Sequence, residues 1–329
     1  MKYGSKQVLL TDIRESRDLL CEMPHSDVIK WLLEGDVAIQ YQVYRDLLDR
    51  ERPELQARIA REGWGAHYLK CRNADGAWGR GFYSPKWTSS HYSLLDLRTL
   101  CLPPDNRLVR ESIERVLREQ TARDGGINPA RSIEESDVCI NGMFLVYACY
   151  FGIPEKSLHQ VVDFILGQQL KDGGFNCQHN RFEVRHSSLH STLSILEGIL
   201  EYLRQGYRYR GHELEAVAGE SREFILQHRL FKSHRTGEII NRGMLRFAFP
   251  PRWKYNILRC LDYFAAARIP WDERMADALD VVMKKRRPDG RWLAEAAHPG
   301  QTHLTMETPR TPSRWNTLQA LRVLKSYGS

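Results

Sequence analysis

Apolar and polar residues recur along the chain with helical spacing, in two kinds of segment that follow one another. One kind is apolar on nearly all sides, which is typical of a buried helix, and the other keeps a charged face. The apolar segments are predicted as helices at Val37–Leu48, Ser89–Leu102, Asp137–Phe151, His186–Leu203, Trp253–Ala267 and Ser313–Ser326. The charged segments are predicted near Ser26–Leu33, Pro53–Arg61, Asp105–Gln120, Pro154–Gln169, Glu213–Gln227 and Trp271–Lys285. The pattern predicts six helical hairpins, each with an inner and an outer helix.

A repeated turn separates the helices of these hairpins. Asp-Gly occurs at Asp75-Gly76, Asp124-Gly125, Asp172-Gly173 and Asp289-Gly290, and Thr236-Gly237 marks a divergent copy in the long gap before the last. Asp-Gly suits a tight turn, because Gly accepts positive φ and Asp bonds its own backbone. Prolines at Pro103, Pro154 and Pro270 open charged segments, where a first helical turn tolerates them.

Six such hairpins predict an all-α fold in which the pairs close into an (α/α)6 toroid. We expect residues 25–329 to form this single domain and residues 1–24 to be an N-terminal extension. Closure leaves no repeat with an uncovered apolar face. The alternative arrangement of the same hairpins is an open superhelical solenoid.

Composition is that of a globular protein, with 42% hydrophobic and 27% charged residues in a chain of 329. No stretch approaches the roughly 18 apolar residues of a membrane span, and charges interrupt the short apolar run near the N-terminus. The seven cysteines include no CxxC pair, which favours a reducing compartment. These features predict a cytoplasmic protein without a transmembrane segment.

The positive charge is concentrated in one segment, from His228 to Arg259. Its eight basic residues and single acid equal the whole net charge of +7, so the remaining chain is balanced. We therefore expect no nucleic-acid partner. The segment also carries Arg246, Trp253 and Tyr255 near a predicted inner-helix start, where they could hold an anionic, partly apolar substrate. The other interpretation is a solvated outer rim with packed aromatics.

The turn contexts CRNADGAWG, QTARDGGIN, QLKDGGFNC and KRRPDGRWL resemble a known repeat. They are similar to the QW-type repeats of squalene–hopene cyclases and to the equivalent loops of protein prenyltransferase β subunits, and the resemblance covers the chain from about Ser26 onward. It implies the α/α toroid of the terpenoid cyclase superfamily. Neither a DxDD nor a DDxxD motif is present, so squalene-type cyclisation is not expected.

Possible metal ligands stand at the starts of two neighbouring inner helices. Asp137 and Cys139 are two residues apart, and Cys177, His186 and His190 lie near the next helix. Carboxylate, thiolate and imidazole are all zinc ligands. The arrangement resembles the catalytic zinc site of prenyltransferase β subunits, which implies Asp137, Cys139 and His190 as ligands and Cys177 and His186 in reserve. The structural interpretation makes Cys139 a core residue and His186 a helix-start residue.

The same resemblance implies that Arg131 binds a diphosphate. Glu134 and Ile140 stand where those enzymes carry a lysine and a tyrosine. Further polar and aromatic side chains open other inner helices and would line the same rim. These are His91, Tyr92 and Arg314.

Three functions are compatible with these features. The leading hypothesis is a zinc-dependent enzyme, resembling prenyltransferases and terpene cyclases, that acts in the central cavity on an isoprenoid or another apolar substrate with an anionic head. An alternative is a non-catalytic toroid that binds a lipid or a protein partner. A third is a carbohydrate-active α/α barrel, which needs paired carboxylates and could draw on Glu197, Glu201 and Glu307.

Overall fold

The computed structural model describes residues 26–130, 134–178, 182 and 184–328. The chain is predominantly helical, which confirms the prediction of an all-α protein. One short antiparallel pair, β1 (Trp292–Leu293) with β2 (Pro312–Ser313), follows the last Asp-Gly turn. Within the described part of the chain, no helix is both long enough and apolar enough to cross a bilayer.

The predicted inner helices are present. They are α2 (Val37–Gln42, continued by a π-helical turn at Val43–Leu47), α5 (Ser90–Thr99), α7 (Val138–Tyr150), α9 (Leu189–Arg204), α11 (Ile257–Ala266) and α13 (Arg314–Tyr327).

The outer helices alternate with them along the chain. They are α1 (Ser26–Leu33), α3 (Pro53–Ile59), α4 (Gly63–Lys70), α6 (Arg107–Gln120), α8 (His159–Leu166), α10 (Gly211–Gln227) and α12 (Ala276–Lys284). Short 3-10 turns lie at Lys86–Thr88, Glu155–Leu158, Arg242–Leu245 and Glu273–Met275.

Among the inner helices, the largest difference from a predicted boundary is at α11, which begins at Ile257 rather than at Trp253. The Asn256 side chain accepts a hydrogen bond from the Arg259 N–H and so caps the helix there. Pro250 and Pro251 precede this point and supply no backbone N–H donors. Trp253 therefore lies in a loop before the helix.

The Asp-Gly turns have one geometry in all four copies. Their glycines have φ between 78° and 88°, in the left-handed region that favours glycine. The large residue after each turn is buried, and its backbone N–H donates to a polar side chain in the first two turns of the following inner helix. The pairs are Trp78 with Ser90, Ile127 with Asn141, Phe175 with Thr192 and Trp292 with Thr317. Each turn thereby anchors the start of an inner helix.

Close packing between inner helices forms the centre of the core. Helix α7 is buried along almost its whole length and packs on α5 and α9. A Cβ on Gly142 would lie 2.4 Å from the Ser194 carbonyl oxygen, and one on Gly198 would lie 2.5 Å from the Gly142 carbonyl oxygen. Glycine at both positions therefore lets the backbones of α7 and α9 touch. Helix α13 packs on α11 and on α2.

Candidate functional site

Aromatic rings and lysine ammonium groups gather just before α5 and α11. We call this group the aromatic–cation cluster; it comprises Tyr83, Lys86, Trp87, Tyr92, Trp253 and Lys254. The Lys86 Nζ lies 5.2 Å from the centre of the Trp87 ring, 5.4 Å from that of Trp253 and 5.5 Å from that of Tyr83. The Lys254 Nζ lies 5.5 Å from the centre of the Trp253 ring. Cations at these distances are attracted to the ring faces.

Two tyrosine hydroxyls meet in this cluster. The Oη atoms of Tyr83 and Tyr92 are 3.1 Å apart, within hydrogen-bond distance. Tyr92 is fully buried and packs edge-on against Trp87, whereas Tyr83 is half-buried. Burial raises the pKa of Tyr83 above its ordinary value, so its phenol is protonated at neutral pH. Tyr83 thus offers a proton donor held in place by a rigid neighbour.

The two lysines of the cluster have different surroundings from the buried arginines of the core. Lys86 is exposed and Lys254 is half-buried. Within the described residues, neither ammonium group lies within salt-bridge distance of a carboxylate. Burial lowers the pKa of Lys86 and the Lys254 charge acts in the same direction, while Cys139 and Asp137 oppose it. The two cations are therefore placed to meet an anionic group from outside the chain.

A buried ion pair underlies the cluster. The Arg252 Nη1 donates to Asp96 Oδ2 at 2.5 Å, and both side chains are less than 5% exposed. The Tyr68 hydroxyl donates to the same carboxylate oxygen at 2.6 Å. The Arg252 guanidinium lies 5.5 Å from the centre of the Trp87 ring. Arg252 therefore joins the loop before α11 to α5, at a point where an uncompensated charge would be costly.

A second arginine fixes the same loop. The Arg259 guanidinium pairs with Glu197 on α9 and donates to the carbonyl oxygens of Arg252 and Lys254 at 3.1 and 2.8 Å. The ion pair holds α11 against α9, and the two carbonyl contacts define the path of the loop. The positions of Trp253 and Lys254 follow from these contacts.

His190 has a role in the structure that the sequence did not predict. Its Nδ1 accepts a hydrogen bond from the Tyr255 N–H at 2.8 Å, and its ring lies against Trp253. Burial, aided by the charges of Arg259 and Lys254, lowers its pKa to about 4. His190 is therefore neutral at pH 7 and positions the loop that carries Trp253.

The two cysteines predicted near the helix starts do come together. The Cys139 N–H, in the first turn of α7, donates to the Cys177 sulfur at 2.9 Å, and the Ser191 hydroxyl donates to it at 3.3 Å. Hydrogen bonding by Cys139 and Ser191 lowers the pKa of Cys177 against the opposing effect of burial, while that of Cys139 is raised. Asp137 immediately precedes α7, close enough for its charge to act on both thiols.

The structure corrects the prediction of a zinc site. Among the described residues, no three His, Cys, Asp or Glu side chains are grouped so that they could hold a metal ion. Asp137 and Cys139 are neighbours, but His190 binds the backbone of Tyr255 instead of joining them. Of the reserve ligands, Cys177 contacts Cys139, while His186 is exposed and precedes α9. The spacing was compatible with zinc, but the packing of the loop before α11 directs the histidine elsewhere.

The predicted substrate-binding residues divide between the cluster and other places. Tyr92 and Trp253 belong to the cluster, and buried His91 lies beside it, bonded to the Tyr147 hydroxyl at 3.2 Å. The Tyr255 hydroxyl instead donates to the Leu230 carbonyl within the core.

Three arginines were also predicted to bind substrate. Arg246 is exposed. Arg314 packs over the Trp31 ring and donates to the Trp31 carbonyl, against α1. Arg131 lies outside the described residues.

The carboxylates considered for a glycosidase pair are each engaged within the fold. Glu197 binds Arg259 and Glu201 binds Arg98. Glu307 accepts from the Ser313 hydroxyl and from the Trp315 N–H. None of the three is paired with another of them across a cavity, so a two-carboxylate hydrolysis mechanism has no support from these residues.

Sequence reasoning did not select Tyr83, Lys86, Lys254 or Arg252 as site residues. Tyr83 lies upstream of the string KWTSSHY and Lys86 opens it, whereas Arg252 and Lys254 flank Trp253 in PRWKY. The interleaving of basic and aromatic residues in both strings was a usable signal. What joins the strings is the contact between α5 and the loop before α11, which are more than 150 residues apart.

Comparison with known proteins gives a structural match without a sequence match. No family model matches the chain, and no curated protein does. Among solved structures, a chain described as a polysaccharide lyase matches with a TM-score of 0.51 and 12% sequence identity, over 94% of this chain and 96% of that one. At this identity the match concerns the fold alone.

These comparisons correct the family resemblance drawn from the turns. Membership of the terpenoid cyclase and prenyltransferase superfamily finds no sequence support, and the structural match is to a carbohydrate-active protein. With the metal ligands dispersed as well, the hypothesis of a zinc-dependent enzyme acting on isoprenoids is wrong. Asp-Gly turns between paired helices belong to the fold, and they do not identify a reaction.

Proposed function

We propose that this protein is carbohydrate-active and that the aromatic–cation cluster binds an anionic polysaccharide and cleaves it by elimination. The observation that carries the proposal is the joint placement of two hydrogen-bonded tyrosines and two lysines on tryptophan faces. The likeness of the fold to a polysaccharide lyase supports it. It replaces the carboxylate-pair version of the carbohydrate hypothesis.

The proposal includes closure of the six hairpins into an (α/α)6 ring. Inner helices that are distant in sequence contact one another, as α13 does with α2. The Gln42 side chain of α2 donates to the Thr99 carbonyl at the end of α5, and Arg259 of α11 pairs with Glu197 of α9. Contacts of this kind between successive inner helices, and between the last and the first, support a closed order.

The chemistry of the cluster suits a sugar polymer that carries carboxylates. Half-buried Trp253 supplies an aromatic surface beside half-buried Lys254 and exposed Lys86, and buried Trp87 lies beneath Lys86. Sugar rings present C–H faces that pack on such aromatics, and a uronate carboxylate binds cations. The cluster also lies at helix N-termini, whose partial positive charge favours anions. A neutral apolar ligand would leave both ammonium groups without a partner.

Elimination next to a carboxylate needs few groups. A base from solvent takes the proton from the carbon bonded to the carboxylate, and the electron pair left there forms a C=C bond as the adjacent C–O bond breaks. The departing oxygen takes a proton from a general acid, which solvent then reprotonates. A cation that holds the carboxylate stabilises the negative charge which develops as the first proton leaves. We assign that role to Lys86 and Lys254. Tyr83, a protonated phenol, is placed to protonate the departing oxygen, and Tyr92 orients it.

A panel assay tests this function. Purified protein is incubated with uronate-containing polysaccharides and with neutral ones, and the ultraviolet absorbance of the unsaturated product is followed. We expect product from at least one anionic polymer and none from neutral ones. Tyr83→Phe should lower kcat by about 100-fold or more, with substrate affinity retained, because general acid catalysis commonly contributes that factor.

Tyr209→Phe is the matched control, since Tyr209 is also half-buried but bonds Asp163 on the outer layer. Its kcat should be unchanged. Binding without cleavage by the wild type would leave a carbohydrate-binding protein and overturn the catalytic assignment. Failure to bind any anionic polysaccharide would overturn the proposed function as a whole.

A further inference from the structure

We propose that Cys177 and Cys139 form a redox-active dithiol, in which Cys177 is the attacking thiolate and Cys139 resolves the reaction to a disulfide. The inference rests on the contacts of the Cys177 sulfur with Cys139 and Ser191 and does not depend on the polysaccharide activity. The pair joins the start of α7 to the segment before α9, beside the aromatic–cation cluster.

The surroundings of Cys177 favour a thiolate. Its sulfur accepts hydrogen bonds from the Cys139 N–H at 2.9 Å and from the Ser191 hydroxyl at 3.3 Å. The first donor belongs to the opening turn of α7, a helix of 13 residues whose N-terminal dipole favours negative charge. Helix N-termini of this kind are where reactive cysteines are found. The Cys177 N–H donates in turn to the Ser191 Oγ at 3.0 Å, which fixes both residues.

The second thiol is what makes this a pair and not an isolated cysteine. The Cys139 backbone N–H lies 2.9 Å from the Cys177 sulfur, so the two cysteines lie side by side. Both side chains are half-buried, whereas Cys101, Cys149 and Cys260 are buried. A small oxidant can therefore reach the pair more readily than it reaches the core cysteines.

The reaction balances with a small-molecule disulfide as oxidant. The Cys177 thiolate attacks one sulfur of that disulfide, forms a mixed disulfide and releases one small thiol. The Cys139 thiol, losing its proton to solvent, attacks the Cys177 sulfur and releases the second small thiol. Overall, the dithiol loses two protons and two electrons, and the oxidant is reduced to two thiols.

Mass spectrometry of the full chain tests the inference. Protein is equilibrated in buffers with increasing ratios of oxidised to reduced glutathione, quenched by alkylation and digested. We expect the Cys139 and Cys177 peptides to be recovered cross-linked. In Cys139→Ser, we expect Cys177 to be trapped as the mixed disulfide with glutathione. In the fully reduced protein at pH 7, alkylation of Cys177 should be about tenfold faster than that of Cys71.

Cys71→Ser is the matched control, because Cys71 is also half-buried and lies at the end of α4. It should form the same cross-link as the wild type. Three results would overturn the inference: a pair that stays reduced where Cys71 is oxidised, trapping of Cys139 in Cys177→Ser with no trapping of Cys177 in Cys139→Ser, or a cross-link from Cys177 to a different cysteine. The wild-type measurement stands even if a variant fails to fold.

Discussion

Charged side chains are arranged differently at the two ends of the inner helices. Toward their C-termini, arginines and carboxylates pair inside the protein: Arg98 binds Glu201, and Arg322 binds Asp262 and Asp46 at 2.6 and 3.0 Å. Before their N-termini, Lys86 and Lys254 lie over aromatic rings. The first region is internally neutralised. In the second, Arg252 and Arg259 are paired with carboxylates, but Lys86 and Lys254 keep positive charge for an external partner.

Helix polarity gives a physical reason for this division. Arginines near helix C-termini satisfy free carbonyl groups and the negative end of the dipole, so their contribution is structural. Arg204 illustrates this, since it donates to the Ala266 carbonyl at the end of α11. At the N-termini the dipole is positive, and further cations add to it. Such a place attracts anions and contributes less to stability.

The largest expected effect comes from breaking the C-terminal network. Arg322→Met leaves Asp262 and Asp46 without a shared cation in a region that is about one-fifth exposed. We expect a loss of about 3 kcal/mol in the free energy of unfolding, at the low end for buried pairs. Urea denaturation measures it. Arg107→Met, an exposed i,i+4 partner of Glu111, should cost about 0.5 kcal/mol or less.

Polysaccharide affinity of Arg322→Met should equal that of the wild type. A loss of affinity at unchanged stability would contradict the division between the two ends.

The next largest effect, on ligand binding and not on stability, comes from Lys86→Gln. We expect affinity for an anionic polysaccharide to fall about tenfold, because one charge-assisted contact is lost. The free energy of unfolding should change by about 0.5 kcal/mol or less, since Lys86 is exposed. Isothermal titration calorimetry at low and high salt measures the first quantity, and the difference should shrink as salt screens the charge.

Lys284→Gln is its control, because Lys284 is exposed on the outer helix α12. Equal affinity losses in both variants would mean that general surface charge, and not the aromatic–cation cluster, binds the ligand.

The smallest effect concerns pH. Since the pKa of His190 is about 4 in the folded protein and near 6.5 when unfolded, the unfolded state binds more protons between these values. Stability from this group is therefore present above pH 6.5 and lost as pH falls toward 4. Between pH 7 and pH 5, we expect the free energy of unfolding of His190→Gln to fall by about 1 kcal/mol less than that of the wild type. Urea denaturation at both values measures it.

His212→Gln, at a fully exposed position, should keep the wild-type dependence. The C-terminal network responds only in stronger acid. Although burial opposes it, Arg98 holds the pKa of Glu201 below its ordinary value, so that contribution is lost as pH falls below about 4. An identical pH dependence in His190→Gln and the wild type would show that His190 does not cause the loss of stability between pH 7 and pH 5.

The sequence by itself determined the helices and turns, because those signals are local. Apolar periodicity over a dozen residues located α7 to within a residue at each end, and Asp-Gly at Asp124-Gly125 specified a positive-φ turn. The contact between the Asp137–Cys139 segment and Cys177 was also foreseeable, since both lie at the starts of consecutive inner helices.

Only the tertiary structure decided how these elements are used. The spacing of Asp137, Cys139 and His190 is compatible with zinc, yet the Tyr255 N–H binds the histidine nitrogen once the loop before α11 lies against α9. The aromatic–cation cluster joins segments more than 150 residues apart through the Arg252–Asp96 ion pair. Helix propensity and turn chemistry act between near neighbours in sequence, whereas these contacts exist only after distant helices have packed.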